Sequence, residues 1–252
     1  MYKIIPLETG RFSSFEKSSF TYTFNAGEKI VASLIMFLLV GPEGLFLVDS
    51  GGSDEAWSRE FHHPLLRDKT MEPREAVRLA GYDPDQISKI FLTHLHWDHA
   101  FNCQSFPNAK IYVQKKEFDY AIDPLPIHYV FYEATQIGMT PRWTEVQDRM
   151  VFIDGDLKIN DAIELLFLPG HTPGFQGVKV QTERGPVIIA GDCVPLYDNW
   201  MKRGFHEYLP SSIHCDLFCY YDSLKRIASF DVPVLPGHDP LVLDKYINKT
   251  LY

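Results

Sequence analysis

The sequence predicts a fold of mixed strands and helices, α/β or α+β in class, formed by a single domain over residues 1–252. Short apolar runs rich in β-branched residues alternate along the chain with helix-like segments. The sequence contains no low-complexity tract, no repeat of fixed period and no linker-like stretch. Hydrophobic residues make up 45% of the 252 residues, which is enough to bury a full core.

Each predicted element has a local signal. The apolar runs 31–40 and 45–49 flank the turn signal GPEG and predict a hairpin. A helix is predicted over 70–79 with Thr70 as its N-cap, and the run 87–93 predicts a buried strand. The remaining strands are predicted over 109–113, 151–153, 163–168, 177–180, 187–190 and 232–235, and further helices over 115–121, over 216–230 and at the C-terminus.

The charges and apolar runs argue against two classes of partner. The formal net charge is -9 and no run of Lys or Arg exceeds a pair, so a surface that would neutralise nucleic-acid phosphates is missing. The longest apolar run, 30–40, is too short to span a bilayer, and the N-terminus lacks the basic-then-apolar pattern of a signal peptide. We therefore expect a cytoplasmic protein with no membrane or nucleic-acid partner.

The stretch FLTHLHWDHAFN packs four ligand-type side chains into six positions directly after the predicted strand 87–93. These residues are His94, His96, Asp98 and His99. Neutral imidazole is a common ligand of zinc and iron, and a carboxylate adds a hard ligand. Single histidines are more often surface or hydrogen-bonded core residues, and we expect His62 and His63 to be of that kind. Four such residues together predict metal binding.

Three further apolar strands end in a tight turn that carries one ligand-type residue each. The stretches IELLFLPGHTPG, VIIAGDC and VPVLPGHDP deliver His171, Asp192 and His238. A strand end fixes a ligand rigidly, and a neighbouring glycine lets the backbone turn tightly. The chain then offers five histidines and two aspartates, which is too many for one tetrahedral ion and indicates two metals with a shared bridging carboxylate.

Together these motifs resemble those of the metallo-β-lactamase-fold hydrolases, and the resemblance runs from the VDSGG at Asp49 to His238. It implies a four-layer αββα sandwich, in which two mixed β-sheets lie face to face with helices outside. It also implies two divalent metal ions. Zinc is the expected metal, and iron, manganese and cobalt accept the same donors.

The resemblance also implies a role for each ligand residue. Asp192 would bridge the two ions, and Asp49 would support a ligand from behind. The first ion would be held by His94, His96 and His171, and the second by Asp98, His99 and His238.

Within that superfamily the chain is similar to the N-acyl-homoserine lactonases and related lactonases. The similarity lies in HLHWDHA, in GYDPD at 81–85, and in the segments 213–216 and 223–226. It implies a hydrolase that opens the ester ring of an acyl-homoserine lactone or similar small lactone, and therefore a quorum-quenching role. Asp98 and Asp192 would be catalytic, because a hydroxide shared by the two metals would attack the carbonyl and Asp98 would pass a proton to the leaving alkoxide.

Two positions depart from the lactonase pattern. Pro195 stands where many of these lactonases carry a tyrosine whose phenol helps the substrate carbonyl, and Tyr197 is the candidate replacement. Ala100-Phe101-Asn102 stands where Ala-Gly-Gly is common, which predicts a narrower entrance to the site.

The sequence says less about substrate contacts. The aromatic segment 118–143 either forms a wall for an acyl chain or ring, or packs a helical layer on the sheet, and both alternatives remain open. The candidate substrate-binding residues are Trp57, Phe101, Tyr197 and His214.

Two alternatives to a lactonase remain. A thioesterase of the glyoxalase II kind, or another small-molecule ester or amide hydrolase of the superfamily, shares the metal motif. Glyoxalase II usually adds a C-terminal helical domain, whereas 14 residues follow His238 here. A non-catalytic metal-binding protein would instead have closed coordination with no open position. No sequence feature indicates the oligomeric state.

Overall fold

Two mixed β-sheets form the frame of the computed structural model, which describes residues 1–244. The strands of the first sheet are β1 (Lys3–Glu16), β2 (Lys29–Gly41), β3 (Gly44–Val48), β4 (Ile87–Phe91), β5 (Lys110–Gln114) and β6 (Met150–Ile153). They lie side by side in chain order. The pairs β1·β2 and β2·β3 are antiparallel, and β3 to β6 run parallel.

The strands of the second sheet are β7 (Leu157–Asn160), β8 (Ile163–Phe167), β9 (Gln176–Thr182), β10 (Gly185–Gly191) and β11 (Val234–Pro236). Their order across the sheet is β11-β10-β9-β8-β7. Neighbours are antiparallel except for β10 and β11, which are parallel. Both sheets are therefore mixed, as the resemblance implies.

The helices are short, apart from one of 13 residues. They are α1 (Glu55–Phe61), α2 (Pro73–Leu79), α3 (Trp97–Ala100), α4 (Lys115–Ile122), α5 (Leu217–Ser229) and α6 (Leu241–Asp244). The predicted C-terminal helix coincides with α6, and any continuation lies outside the described residues. Across residues 1–244, no helix has both the length and the apolar character needed to cross a membrane.

The two sheets pack face to face through a shared apolar core. Phe37, Phe46 and Phe91 of the first sheet belong to one buried cluster with Val178 and Ile189 of the second sheet. Burial of side chains of this size is the main favourable term in folding, at about 25 cal/mol per Å² of apolar surface. This core holds the ends of the two sheets in a fixed relation.

Helices cover the outer face of each sheet. Leu38 of β2 packs with Val77 of α2 in a second cluster, and Ile188 of β10 packs with Leu224 of α5 in a third. The layer order is therefore αββα, which confirms the predicted fold class. Phe37 faces the other sheet while the next residue, Leu38, faces the helices, so β2 is buried on both faces and reads as an unbroken apolar run.

Strand β1 has no counterpart among the predicted elements. Pro6 and Gly10 interrupt its apolar pattern, and the register with β2 shifts between Glu8 and Gly10 and between Phe12 and Phe15. Helix and strand signals read from a local window therefore fail in this segment. The strand is stabilised by long-range pairing with β2, which begins at Lys29.

The predicted helix over 70–79 begins later than expected. Thr70 lies in a 3₁₀ helix (Lys69–Met71) whose N-cap is Asp68, and α2 itself begins at Pro73. Proline is favoured in the first helical turn because its missing N–H has no partner there. Thr70 is therefore not the N-cap of α2.

Gly170 lets the loop after β8 pass directly against α5. Its φ of +141° is one that L side chains rarely adopt, and an added Cβ would lie 2.3 Å from the Cα of Tyr220. Its carbonyl accepts hydrogen bonds from the backbone N–H groups of Cys215 and Asp216, just before α5. The position of the next residue, His171, is thereby fixed relative to that helix.

We expect Gly170→Ala to lower the free energy of unfolding by about 3 kcal/mol or more, because it combines backbone strain with a clash. Gly185→Ala is the matched control, since its φ of +110° is also unfavourable but nothing lies within 4 Å of an added Cβ. The control should lose about 1–2 kcal/mol from strain alone. Urea unfolding followed by circular dichroism measures both, and equal losses would contradict the close approach of Tyr220.

Candidate metal centre

The seven predicted ligand residues meet at one end of the two sheets. Strands β4, β8, β10 and β11 each end shortly before one of them, and α3 carries Asp98 and His99. Six of the seven side chains belong to buried residues, and Asp98 is half-buried. The residues are His94, His96, Asp98, His99, His171, Asp192 and His238.

Three overlapping groups of these side chains have the spacing of metal ligands. In each group, one ligand atom per residue lies within 4.8 Å of the others. The groups are His94, His96 and His171; His94, His99 and Asp192; and Asp98, His99 and His238. The first and third groups match the two predicted ligand sets, and the second lies between them.

Asp192 lies between the two ligand sets. Its Oδ1 is 3.2 Å from Nε2 of His99 and 3.0 Å from Nε2 of His238, and its Oδ2 is 3.6 Å from Nε2 of His171. Burial raises the pKa of Asp192, but the imidazoles of His238 and His99 outweigh this and hold it well below its usual range. An ionised carboxylate with one oxygen toward each set is suited to bridging two cations.

Most ring nitrogens that face this centre make no hydrogen bond of normal geometry, although Nε2 of His99 and of His238 lies close to Oδ1 of Asp192. Within residues 1–244, the buried atoms without a partner include Nε2 of His94, His99, His171 and His238, and Oδ1 of Asp192. Buried polar atoms are normally paired, and a cluster without partners requires an explanation such as an ion. This donor set fits divalent cations.

The opposite ring nitrogens of the same histidines are all partnered. Nδ1 of His99 lies 2.8 Å from Oδ2 of Asp49, and the carbonyls of Ile213 and Ser33 accept from Nδ1 of His171 and His238 at 2.8 and 2.9 Å. A hydrogen bond at Nδ1 fixes the tautomer that leaves the Nε2 lone pair free for a metal.

Asp49 is placed behind the centre, as the resemblance implies. Its φ is +63°, its Oδ1 accepts the backbone N–H of Thr93 at 2.7 Å, and its Oδ2 accepts from His99. The Thr93 hydroxyl also contacts both Asp49 oxygens and lies 3.0 Å from Nδ1 of His94. One carboxylate thus orients two of the predicted ligands.

The electrostatic surroundings differ between the two ligand sets. Burial and neighbouring imidazoles hold the pKa of His94 and of His96 well below the usual range, and burial lowers the pKa of His171 to about 4. These three imidazoles are therefore neutral at pH 7, the form in which histidine can bind a metal. Burial also lowers the pKa of His99, but nearby carboxylates, Asp192 first, outweigh it and raise that pKa well above the usual range. Positive charge is therefore more favourable near His99, in the second ligand set, than near the three histidines of the first set.

A cavity of about 260 Å³ opens onto the centre. Its floor is formed by His96, Asp98, Asp192 and His238, and its walls are mostly aromatic. The wall residues are Phe12, Phe15, Phe20, Phe61, His62, His63, Trp97, Val130, Phe131 and Ile213.

The four candidate substrate-binding residues are not among those that line this cavity. Trp57 and Phe101 pack against each other, with ring centroids 5.9 Å apart, under the guanidinium of Arg142. Tyr197 packs against the core between the sheets. Nδ1 of His214 hydrogen-bonds to a backbone carbonyl. Tyr197 thus does not bring a phenol to the cavity.

The aromatic segment 118–143 mainly packs on the sheet. Phe118, Tyr132 and Trp143 belong to or pack against the outer core of the first sheet, whereas Val130 and Phe131 reach the cavity. Most of this segment therefore follows the packing alternative.

The main wall residues that the sequence does not reveal lie on β1 and just after it. The spacing of Phe12, Phe15 and Phe20 matches neither the repeat of a helix nor that of a strand. Only the high density of phenylalanines in this stretch could have indicated a shared role. His62 is hydrogen-bonded, as expected of it, and it also stacks on Trp97 with centroids 4.0 Å apart. It is a wall residue.

Curated relatives are similar over most of the chain. An N-acyl homoserine lactonase of Bacillus sp is 28% identical over 246 residues, which cover 89% of this chain and 88% of that protein. N-acyl homoserine lactonase AttM of Rhizobium radiobacter is 27% identical over 219 residues, covering 81% of each.

Solved structures share the fold. A variant of Bacillus thuringiensis AiiA with N-decanoyl-L-homoserine bound at its active site superposes with a TM-score of 0.76 at 24% identity, covering 96% of this chain and 95% of that one. AidC, described as a dizinc quorum-quenching lactonase, superposes with a TM-score of 0.70 at 20% identity. The match covers 95% of this chain and 88% of AidC. The family model of the metallo-beta-lactamase superfamily matches residues 35–249. This chain therefore belongs to the metallo-β-lactamase superfamily.

Proposed function

We propose that this chain is a two-metal hydrolase that opens the ester ring of acyl-homoserine lactones or similar small lactones. The observation that supports the proposal is the position of Asp192 between two groups of predicted ligands at the floor of an aromatic cavity. The 27–28% identical lactonases support the same reaction class. We also propose that the whole chain forms one domain. Its proposed role in cells is quorum quenching in the cytoplasm.

The proposed metals are two Zn²⁺ ions. The first would be held by His94, His96 and His171, the second by Asp98, His99 and His238, and Asp192 would be shared between them. Divalent ions bound there supply a water of lowered pKa at neutral pH and polarise an ester carbonyl.

Asp98 is proposed to transfer a proton from the attacking water to the leaving oxygen of the ester. Its carboxylate lines the cavity floor, and its Oδ2 lies 3.7 Å from Nε2 of both His99 and His238. Its side chain is 17% exposed, against 7% for Asp192, so Asp98 is the carboxylate that substrate reaches more readily. In lactone opening, water adds to the carbonyl carbon and gives one proton to Asp98. The ester C–O bond then breaks, and Asp98 passes that proton to the alkoxide oxygen, so that lactone and water become the ring-opened hydroxy acid.

The aromatic walls are proposed to hold the acyl chain and exclude water from the floor. Apolar surface with few convergent polar groups is typical of a small-molecule site. Pro195 takes a structural part at the position where many lactonases have a tyrosine, because its carbonyl accepts the N–H of His238 at 2.9 Å. Positioning of the substrate carbonyl therefore falls to the floor residues.

We expect Asp192→Asn to lower lactone hydrolysis at least about 100-fold, because a neutral amide cannot bridge two cations. The measurement is mass-spectrometric ring opening with zinc-loaded protein, against acyl-homoserine lactones of several chain lengths and an acyl-glutathione thioester. Asp156→Asn, which alters a partly exposed carboxylate paired with Arg226, is the control and should keep wild-type activity. Full activity in Asp192→Asn would disprove the bridged mechanism, and cleavage of the thioester alone would favour the thioesterase alternative.

A second prediction concerns the cavity wall. Phe15→Ala should raise KM for decanoyl-homoserine lactone about 10-fold and leave the butanoyl substrate nearly unchanged, because only the longer chain loses apolar contact. Phe205→Ala, at a residue 88% exposed and not among the cavity-lining residues, is the matched control. Equal changes for both chain lengths would show that Phe15 does not contact the acyl chain.

A further inference from the structure

A fully buried carboxylate lies behind the first ligand set and hydrogen-bonds to both of its loops. Glu117, in the first turn of α4, is 0% exposed. Its Oε1 accepts the backbone N–H of Leu95 at 3.0 Å and the hydroxyl of Tyr132 at 2.8 Å. Its Oε2 accepts the hydroxyl of Thr172 at 2.5 Å and the backbone N–H of Gly174 at 3.3 Å.

These donors are the immediate neighbours of the three histidines in the first ligand set. Leu95 stands between His94 and His96, and Thr172 directly follows His171. One side chain therefore links the loop after β4 to the loop after β8. The relative position of the three imidazoles depends on that link, since the two loops come from different sheets.

The loop after β8 is packed tightly on this helix. An added Cβ at Gly174 would lie 2.0 Å from the backbone nitrogen of Glu117. The loop backbone therefore lies directly against the first turn of α4. The four hydrogen bonds are therefore held in place by backbone packing on both sides.

The Glu117 carboxyl lacks a side-chain counterion. All of its hydrogen-bond donors within residues 1–244 are uncharged, although buried charges are normally paired or bound near a metal. Burial raises the pKa of Glu117, and its four accepted hydrogen bonds oppose that shift. A divalent ion held by the neighbouring histidines would supply the missing positive charge.

We propose that Glu117 is a positioning residue that selectively supports the metal ion held by His94, His96 and His171. This inference rests on the proposed metal centre. Glu117 does not contact the second set, where His99 is oriented by Asp49 and His238 by the carbonyl of Ser33. Loss of Glu117 should therefore weaken one of the two metal sites and spare the other.

The test is Glu117→Gln in the full chain loaded with Zn²⁺. The amide presents an NH₂ group where one carboxylate oxygen accepted two hydrogen bonds, so one loop loses its link. Zinc retained per chain is measured by mass spectrometry across a series of chelator concentrations. We expect one equivalent to be lost at about 10- to 100-fold lower chelator, with the other unchanged. In a His171→Ala background, where the first site already lacks a ligand, Glu117→Gln should cause no further loss.

Glu133→Gln is the matched control. Glu133 is also a buried carboxylate, but its Oε1 accepts from Nε1 of Trp57 at 2.6 Å and lies 2.8 Å from Nε2 of His62, both outside the ligand loops. It should keep wild-type zinc affinity. Metal-free thermal unfolding of both variants measures general destabilisation. If Glu117→Gln does not fold, Thr172→Val removes a single hydrogen bond and should give a smaller loss at the same site.

The possible outcomes separate the two proposals. Equal weakening of both equivalents, no weakening, or the same loss in Glu133→Gln would overturn the role of Glu117. Wild-type protein that binds two equivalents of zinc but opens no lactone would overturn the proposed function alone. Wild-type protein that retains no zinc would overturn both.

Discussion

The buried carboxylate of Asp192 is the constraint on which the rest of this molecule depends. It is negatively charged, almost inaccessible, and placed within 3.6 Å of imidazoles from three separate loops. Such a charge is stable only among compensating positive groups. His171 reaches it from one sheet and His99 from a helix that follows the other. Both sheets must therefore be held in a fixed relation, and the apolar core between them does this.

The ligands are oriented by elements other than their own. The carbonyl that fixes His238 comes from Ser33 on β2, and the carbonyl that fixes His171 comes from Ile213, shortly before α5. Asp49, at the end of β3, fixes His99. Each ring is thus set by tertiary structure before any ion binds. Preset geometry of this kind lowers the cost of ordering a site when the ion arrives.

The clustering of these histidines and aspartates could be predicted from sequence, because the residue types are characteristic of metal ligands and their positions follow strand ends. The strands β2 and β3 could be predicted because burial on both faces makes them continuous apolar runs. The cavity walls could not, because Phe12 and Phe15 lie on β1, whose strand conformation depends on pairing with β2 rather than on a local pattern. Trp57 and Phe101 were predicted to contact the substrate, but they pack against each other and are not among the residues that line the cavity. Glu117 was missed because a glutamate in the first turn of a helix is ordinarily a solvated residue.

Two buried glutamates support different parts of the proposed site. Glu117 links the loops that carry His94, His96 and His171, whereas Glu133 joins α1 to the segment that contributes Val130 and Phe131 to the cavity wall. The two carboxylates share no hydrogen-bond partner. However, Tyr132, which donates to Glu117, directly precedes Glu133, and the carbonyl of Phe131 accepts the backbone N–H of Trp97, between His96 and Asp98. The wall segment and the loop with the predicted ligands are in contact, so a change in one is expected to affect the other. In this chain the proposed substrate range and the proposed metal affinity are therefore coupled through residues 131–133.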